Sequence, residues 1–261
     1  DAESVFSDNT DTSAFSDGSA EAADTEYGEE IYSEISEDEA SSEEQANGAV
    51  IKWTIYNSGT LVIENAEGGN GLTPNRCPWF NYKEDITNVV IKDSITVLGE
   101  RNFMKCPELK TVTFQGSLSK IGNSAFEGCK KLTSVHFSEN TVNIGFGAFK
   151  SCTALRDVSL PDGLTSIGKN AFYGCTALDS LMLPKKLRLI EDFAFSRSGL
   201  KTIILPAALT EIGTSAFQEC RALMSVIFPN KAVKIGDSAF ARCTSLGGVV
   251  LPESTCDIGY Y

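Results

Sequence analysis

Eight cysteines and a single histidine are the side chains of this sequence with the strongest claim to chemistry. Six of the cysteines recur at near-constant spacing: Cys106, Cys129, Cys152, Cys175, Cys220 and Cys243. Ser198 holds the slot between Cys175 and Cys220. Thiols in such a series could pair as disulfides, bind metal or act as nucleophiles. No CxxC pair and no Cys/His cluster accompanies them, so a zinc site is not expected. Equivalent residues of adjacent repeats point the same way, which makes their Cβ vectors parallel and disfavours an S–S torsion. A buried ladder of free thiols is the expectation, with Cys77 and Cys256 off the ladder. His136 sits in Thr133-Ser134-Val135-His136-Phe137, where Val135 and Phe137 share one face and His136 takes the other. Serine and aspartate are plentiful, so composition alone leaves a Ser-His-Asp triad open. No nucleophile elbow, P-loop or G-x-G-x-x-G motif accompanies the histidine, and the body's glutamates scatter over variable positions. We expect no catalytic residues, no cofactor and no metal site.

The elements that position these residues are repeats. Phe103, Phe126, Phe149, Phe172, Phe195, Phe217 and Phe240 follow one another at 23, 23, 23, 23, 22 and 23 residues. A period in this range marks coils that stack into one continuous core. Aligned on the phenylalanines, the unit reads A-F-x-x-C-x-x-L-x-x-V-x-L-P-x-x-L-x-x-I-G-x-x. Within L-x-x-V-x-L the last two apolar residues are two apart and share one strand face. Pro161, Pro184, Pro206, Pro229 and Pro252 end that strand, since proline cannot donate to a ladder. The Ile-Gly pairs, such as Ile121-Gly122 and Ile167-Gly168, are read as a second inward anchor followed by a residue tolerant of positive φ. The Ala-Phe pair plugs the far side of each coil on a short helical turn. Successive strands should stack in parallel about 4.8 Å apart, making a body roughly 35 Å long.

Charge divides the chain. Its net of −13 is placed unevenly: residues 1–48 carry sixteen Asp or Glu and no Lys or Arg, whereas the remainder carries 19 acidic and 22 basic side chains. The head, rich in Asp, Glu, Ser and Ala, cannot bury enough apolar surface to offset its ordering entropy, so 1–48 reads as an acidic disordered linker. It lacks the ordered spacing of a calcium hand. The body, with no concentrated basic stripe, does not suggest nucleic acid. No apolar run of about 18 residues exists, so no membrane insertion is expected of this segment. The chain opens at Asp1 without a basic-then-apolar leader, which fits a mature form from which a leader has been removed. Order should begin near Ala49. Val50–Tyr56 and Thr60–Ile63 flank Asn57-Ser58-Gly59, a β-hairpin suited to capping a solenoid end. Cys77-Pro78-Trp79-Phe80 follows, with Trp79 and Phe80 expected to plug the first coil. The divisions are 1–48 linker, 49–85 cap with hairpin, and 86–261 solenoid of 23-residue coils. After Ile258-Gly259 the pattern calls for two more residues and another Ala-Phe, so the C-terminal end reads as truncated.

This unit resembles the BspA-like leucine-rich repeat family of bacterial cell-surface proteins. The resemblance rests on A-F-x-x-C-x-x-L-x-x-V-x-L-P with I-G, repeated across about residues 86–261. Trp53-Thr54, Gly59-Thr60-Leu61-Val62-Ile63, Cys77-Pro78-Trp79 and Ile86-Thr87-Asn88-Val89-Val90-Ile91 extend it into the opening segment. It implies a right-handed leucine-rich-repeat solenoid, mostly parallel β with short helical turns, on a secreted or cell-surface protein. It also implies adhesion or binding of host, matrix or surface proteins, with carbohydrate as a further partner class. No residue-level site carries over from the family. One departure is that Pro follows L-x-x-L-x-L where commoner leucine-rich repeats bury Asn or Cys, so their detailed geometry is not assumed.

The register separates core from surface and so points to a candidate face. One outward column runs Thr113, His136, Ser159, Met182, Ile204, Ile227, Val250, changing from polar to apolar. Its neighbour, Thr111, Ser134, Asp157, Ser180, Thr202, Ser225, Gly248, stays small and mostly polar. An apolar stripe on an exposed sheet is expected to find a partner, although β-branched residues also simply suit strands. The candidate protein-binding face is Met182, Ile204, Ile227 and Val250, with His136 and Ser159 continuing it. The functional expectation is a non-catalytic binding module. The competing one is a structural spacer that holds a further C-terminal domain away from the cell.

Overall fold

A computed structural model describes residues 30–37, 50–67, 72, 78–92, 95–253 and 257–260. Three antiparallel strands open it: β1 (Glu30–Glu37), β2 (Val50–Tyr56) and β3 (Thr60–Glu67). The β2–β3 hairpin turns on Gly59, whose φ of 78° favours glycine and whose N–H donates to the Tyr56 carbonyl at 2.9 Å. Alternation puts Trp53, Ile55, Leu61 and Ile63 on one face, all of them fully buried. β1 falls inside the acidic segment expected to be disordered. Glu30–Glu37 instead pairs antiparallel with β2, whose outer edge would otherwise present unpaired backbone groups. The rest of that segment lies outside the described residues.

β3 then hands the ladder on in parallel. Asn88–Ile91, Thr111–Phe114, Ser134–His136 and Asp157–Ser159 follow it, completing a seven-stranded sheet. The ladder lapses at Ser180–Leu183 and resumes as the pair Thr202–Ile204 and Ser225–Ile227. The lapse lies against the one coil that is a residue short, where a Cβ on Gly199 would stand 2.2 Å from the Thr176 carbonyl oxygen. A second, narrower side is built from two-residue strands at the Ile-Gly positions, from Val97–Leu98 to Lys234–Ile235. Pro161, Pro206 and Pro229 follow the ends of strands as expected, whereas Pro184 follows the lapse; the carbonyls of Pro161, Pro184 and Pro206 each accept an N–H three residues on.

The third side holds the aromatic column. Trp79 stacks on Phe103 at 5.3 Å, and the seven phenylalanines continue at 5.2–5.5 Å with near-parallel rings. Trp79 therefore plugs the first coil, but Phe80 does not. It is 59% exposed, under the ammonium of Lys83, because a short 3-10 turn at Pro78–Tyr82 buries only the tryptophan. The helical character of the Ala-Phe side is reduced to single turns. Alternate N–H groups bond within the coil (Met104 to Arg101, Cys106 to Phe103) and to the next coil (Phe103 to Ala125, Lys105 to Glu127). This alternation requires left-handed residues in two columns, and eleven of them are not glycine, Arg101, Ser151 and Glu219 included.

The Ile-Gly glycines serve a purpose other than the one their sequence suggested. None of them has positive φ. A Cβ on Gly122 would lie 2.5 Å from the Gly99 carbonyl carbon, and one on Gly168 2.5 Å from the Ile144 oxygen. Glycine is required there because stacked coils touch backbone to backbone. The next residue links the coils: Asn123, Asp192 and Asp237 each accept the N–H of Phe146, Thr214 and Tyr260 through Oδ1 at 2.9 Å. Phe146 occupies this position without an acceptor, which would orphan the Lys169 N–H. Glu191, which interrupts the glycine column, reaches back and accepts it at 3.1 Å through Oε2.

Candidate binding face

The pleat of the main ladder turns one residue in two outward, and the whole candidate column is exposed. Met182 and Val250 are 89% and 88% exposed, Ile204 and Ile227 62% and 50%. Ile204 and Ile227 are direct partners in the resumed ladder, and Ser159, His136 and Thr113 are successive partners in the first. Met182 stands in the gap between the two ladders, and Val250 on the last coil, outside any strand. The column thus comes together as two groups rather than one continuous ladder. Gly247 and Gly248 have open space around them, so the neighbouring surface at Val250 is shallow. Met224, 57% exposed and just before the Ser225–Ile227 strand, is a further large apolar side chain at the surface of the same coil. It was missed because it lies just before the strand, outside the two columns the alternation defines. At the other end the same column continues into Val90 and Val62, which bury against Tyr56.

His136 is exposed and its Nε2 lies 3.4 Å from Oδ2 of Asp157 on the next coil, a contact between two solvent-exposed side chains and of small energetic weight. Among the described residues no group of three or more His, Cys, Asp or Glu could hold a metal ion, and no helix is long and apolar enough to cross a membrane.

The six ladder cysteines are free and buried. Each thiol from Cys129 onwards donates to a phenylalanine carbonyl of the preceding coil: Cys129 to Phe103 at 2.9 Å, Cys152 to Phe126 at 3.1 Å, Cys175 to Phe149 at 3.2 Å. Burial pushes the Cys152 and Cys243 thiols up to about 12, and those of Cys129 and Cys175 well above the ordinary range. Thiols so held are poor nucleophiles and structural in effect. Cys77 and Cys256 lie outside the described residues.

The structure also gathers charge that a scan along the chain does not see. The F-x-x-C-x-x-L stretches of the seven coils form one edge. They carry seven basic side chains (Lys105, Lys130, Lys131, Lys150, Arg197, Arg221, Arg242) against three acidic ones (Glu108, Glu127, Glu219), a net of +4. Residues 49–261 net only +3, so this edge holds the whole excess. Its focus is Glu219, whose side chain is 12% exposed and which accepts from Arg197 at 3.2 Å, Arg221 at 3.3 Å and Arg242 at 3.5 Å. Desolvation raises the Glu219 carboxyl, but the Arg197 hydrogen bond and the charges of all three arginines outweigh it and hold the group below the usual range. Arg197 also lies over the Tyr173 ring at 5.7 Å. Counting charge by repeat position, rather than along the chain, would have revealed this edge.

Comparison with known proteins places these features in a family context. A model of the BspA type leucine rich repeat region matches residues 77–176 and 143–261, in six copies. A leucine rich cell surface protein of Faecalibacterium prausnitzii is 25% identical, with a TM-score of 0.55, over 88% of this chain and 73% of that one. A leucine rich repeat protein of T. pallidum is 22% identical, with a TM-score of 0.47, over 72% of this chain and 84% of that one. The pneumococcal vaccine antigen PcpA is 17% identical, with a TM-score of 0.50, over 85% of this chain and 71% of that one, and shares the fold. No curated protein matches the sequence.

Proposed function

The chain belongs to the BspA-type leucine-rich repeat family, and on that premise we propose that it is a non-catalytic protein-binding module of a secreted or surface-held bacterial protein. The contact face in this reading is the apolar group Met182, Ile204, Ile227 and Val250, with His136 and Ser159 at its polar end. The observation that carries it is the exposure of these side chains on coils whose inward positions are already filled. Large apolar residues clustered on an accessible sheet mark a site that gains by being covered. The neighbouring outward positions Ser180, Thr202, Ser225 and Gly248 are small, which leaves the apolar side chains accessible. In support, the Faecalibacterium relative is described as a cell surface protein. Residues 49–85 are assigned to the cap, which β1 (Glu30–Glu37) extends from within the acidic segment.

The test is a binding survey of the full chain against matrix proteins, surface proteins and glycans, run in parallel with Ile204→Asp/Ile227→Asp. The positions are exposed but face each other in the ladder, where two aspartates repel, so a melting curve of the double variant is run alongside to show that it folds. A genuine partner loses binding at least tenfold. Retention of every interaction by the double variant removes this face as the site. Absence of any partner favours a plain spacer.

A further inference from the structure

The basic edge and the acidic head are complementary parts of one chain. Residues 1–29 hold nine acidic side chains and no basic one, and they lie outside the described residues. On the edge, Glu219 takes one N–H from each of three arginines. Each guanidinium has five donors, so Glu219 leaves about twelve of them unengaged. The arginines are 55–73% exposed. Glu219 itself sits at a φ of 58°, in a column where two other coils have Gly128 and Gly174. A strained carboxylate thus draws three guanidiniums into one place and leaves a local net charge of +2. No further acidic side chain pairs with these arginines among the described residues.

We propose that residues 1–29 dock in cis along this edge, with Arg197, Arg221 and Arg242 as the main contact, and are released by salt. This goes beyond the binding face proposed above and uses a different side of the solenoid. The geometry permits it. From β1 to the coil of Glu219 there are nine ladder steps, about 45 Å at 4.8 Å each. A 29-residue chain reaches about 95 Å at full extension and averages about 30 Å as a flexible coil. Tethering supplies an effective concentration on the order of millimolar, so contacts too weak for a free peptide suffice. Guanidinium forks pair with successive carboxylates without needing a fixed backbone shape. The contact is electrostatic and solvent-exposed, so it must weaken as the Debye length falls from about 30 Å to about 3 Å between 0.01 and 1 M salt.

The test is small-angle scattering of the full chain from 10 mM to 1 M NaCl, because docking reverses the sign of the salt response. A free acidic segment repels itself and contracts as it is screened. A docked one is released, so the radius of gyration should rise, by roughly a tenth. Arg197→Ser/Arg221→Ser/Arg242→Ser should start expanded at low salt and lose the rise. Glu219→Gln adds one net positive charge to the edge and should move the midpoint of the transition to higher salt. A wild-type radius that falls with salt overturns the proposal. So does a Glu219→Gln midpoint that moves lower, or a low-salt mass that grows with protein concentration and so shows docking between copies.

Discussion

Each phenylalanine of the aromatic column touches its counterpart above and below, so its contribution is read in two coils at once. Phe172 is fully buried between Phe149 and Phe195 at 5.4 and 5.5 Å. Phe172→Ala should cost about 3–5 kcal/mol, visible as a lower melting temperature and with no loss of binding at the outward face. Ser151 offers the opposite case. Its φ of 61° lies where an L-residue is strained, and the same column carries glycine at 128 and 174. Ser151→Gly should stabilise by about 0.5–1 kcal/mol, measured by denaturant midpoint, since relief of backbone strain exceeds the added chain entropy. The recurrence of phenylalanine every 22 or 23 residues made Phe172 legible as core. The strain at Ser151 was not legible, because nothing in a serine's local sequence states its φ.

At the scale of the element, two features carry the stacking. The narrow side of the solenoid brings main chains into direct contact, and glycine is what allows it. Gly168→Ala places a Cβ 2.5 Å from the Ile144 oxygen, which is backbone and cannot swing aside. It should cost about 1–3 kcal/mol in an equilibrium unfolding measurement, as overpacking does elsewhere. The second feature is the side chain after the glycine, which bonds the N–H of a neighbouring coil. Where Phe146 breaks that series, Glu191 of a later coil supplies the acceptor. Two departures from the repeat that look unrelated in sequence are one compensating pair in space. The hairpin cap and the proline-ended strands, by contrast, follow from turn chemistry and a missing N–H, both local properties.

For the whole molecule, stability spreads along the axis from coil to coil, and the thiol ladder gives it a pH signature. The sign follows from the raised thiols. Well below pH 9 the Cys152 and Cys243 thiols are protonated whether folded or not and contribute no pH dependence. Above pH 9.0, the ordinary value, the unfolded chain loses thiol protons while Cys152 and Cys243 keep theirs to about 12. The unfolded state then binds fewer protons, so stability falls with rising pH across that window, by up to about 1.4 kcal/mol per pH unit for each thiol. Melting temperatures from pH 8 to 11 should show the decline. Cys152→Ser should make it shallower by that thiol's share, and a wild-type profile that is level or rises would contradict a buried free-thiol ladder.

The sequence by itself determined the period, the inward positions and the outward column, because these depend on which way a residue faces within its own coil. That direction is set by the two-residue alternation of a strand and by the 22- or 23-residue return. The tertiary structure decided what depends on distances between coils. It shows that the Ile-Gly glycines answer close approach rather than positive φ, and that Phe80 lies outside while Trp79 seals the first coil. It also shows that β1 extends the sheet from within an acidic stretch, and that Arg197, Arg221 and Arg242 meet at Glu219. Residues about 22 positions apart become neighbours only when coils stack, so their contacts, charges and clashes are properties of the stack.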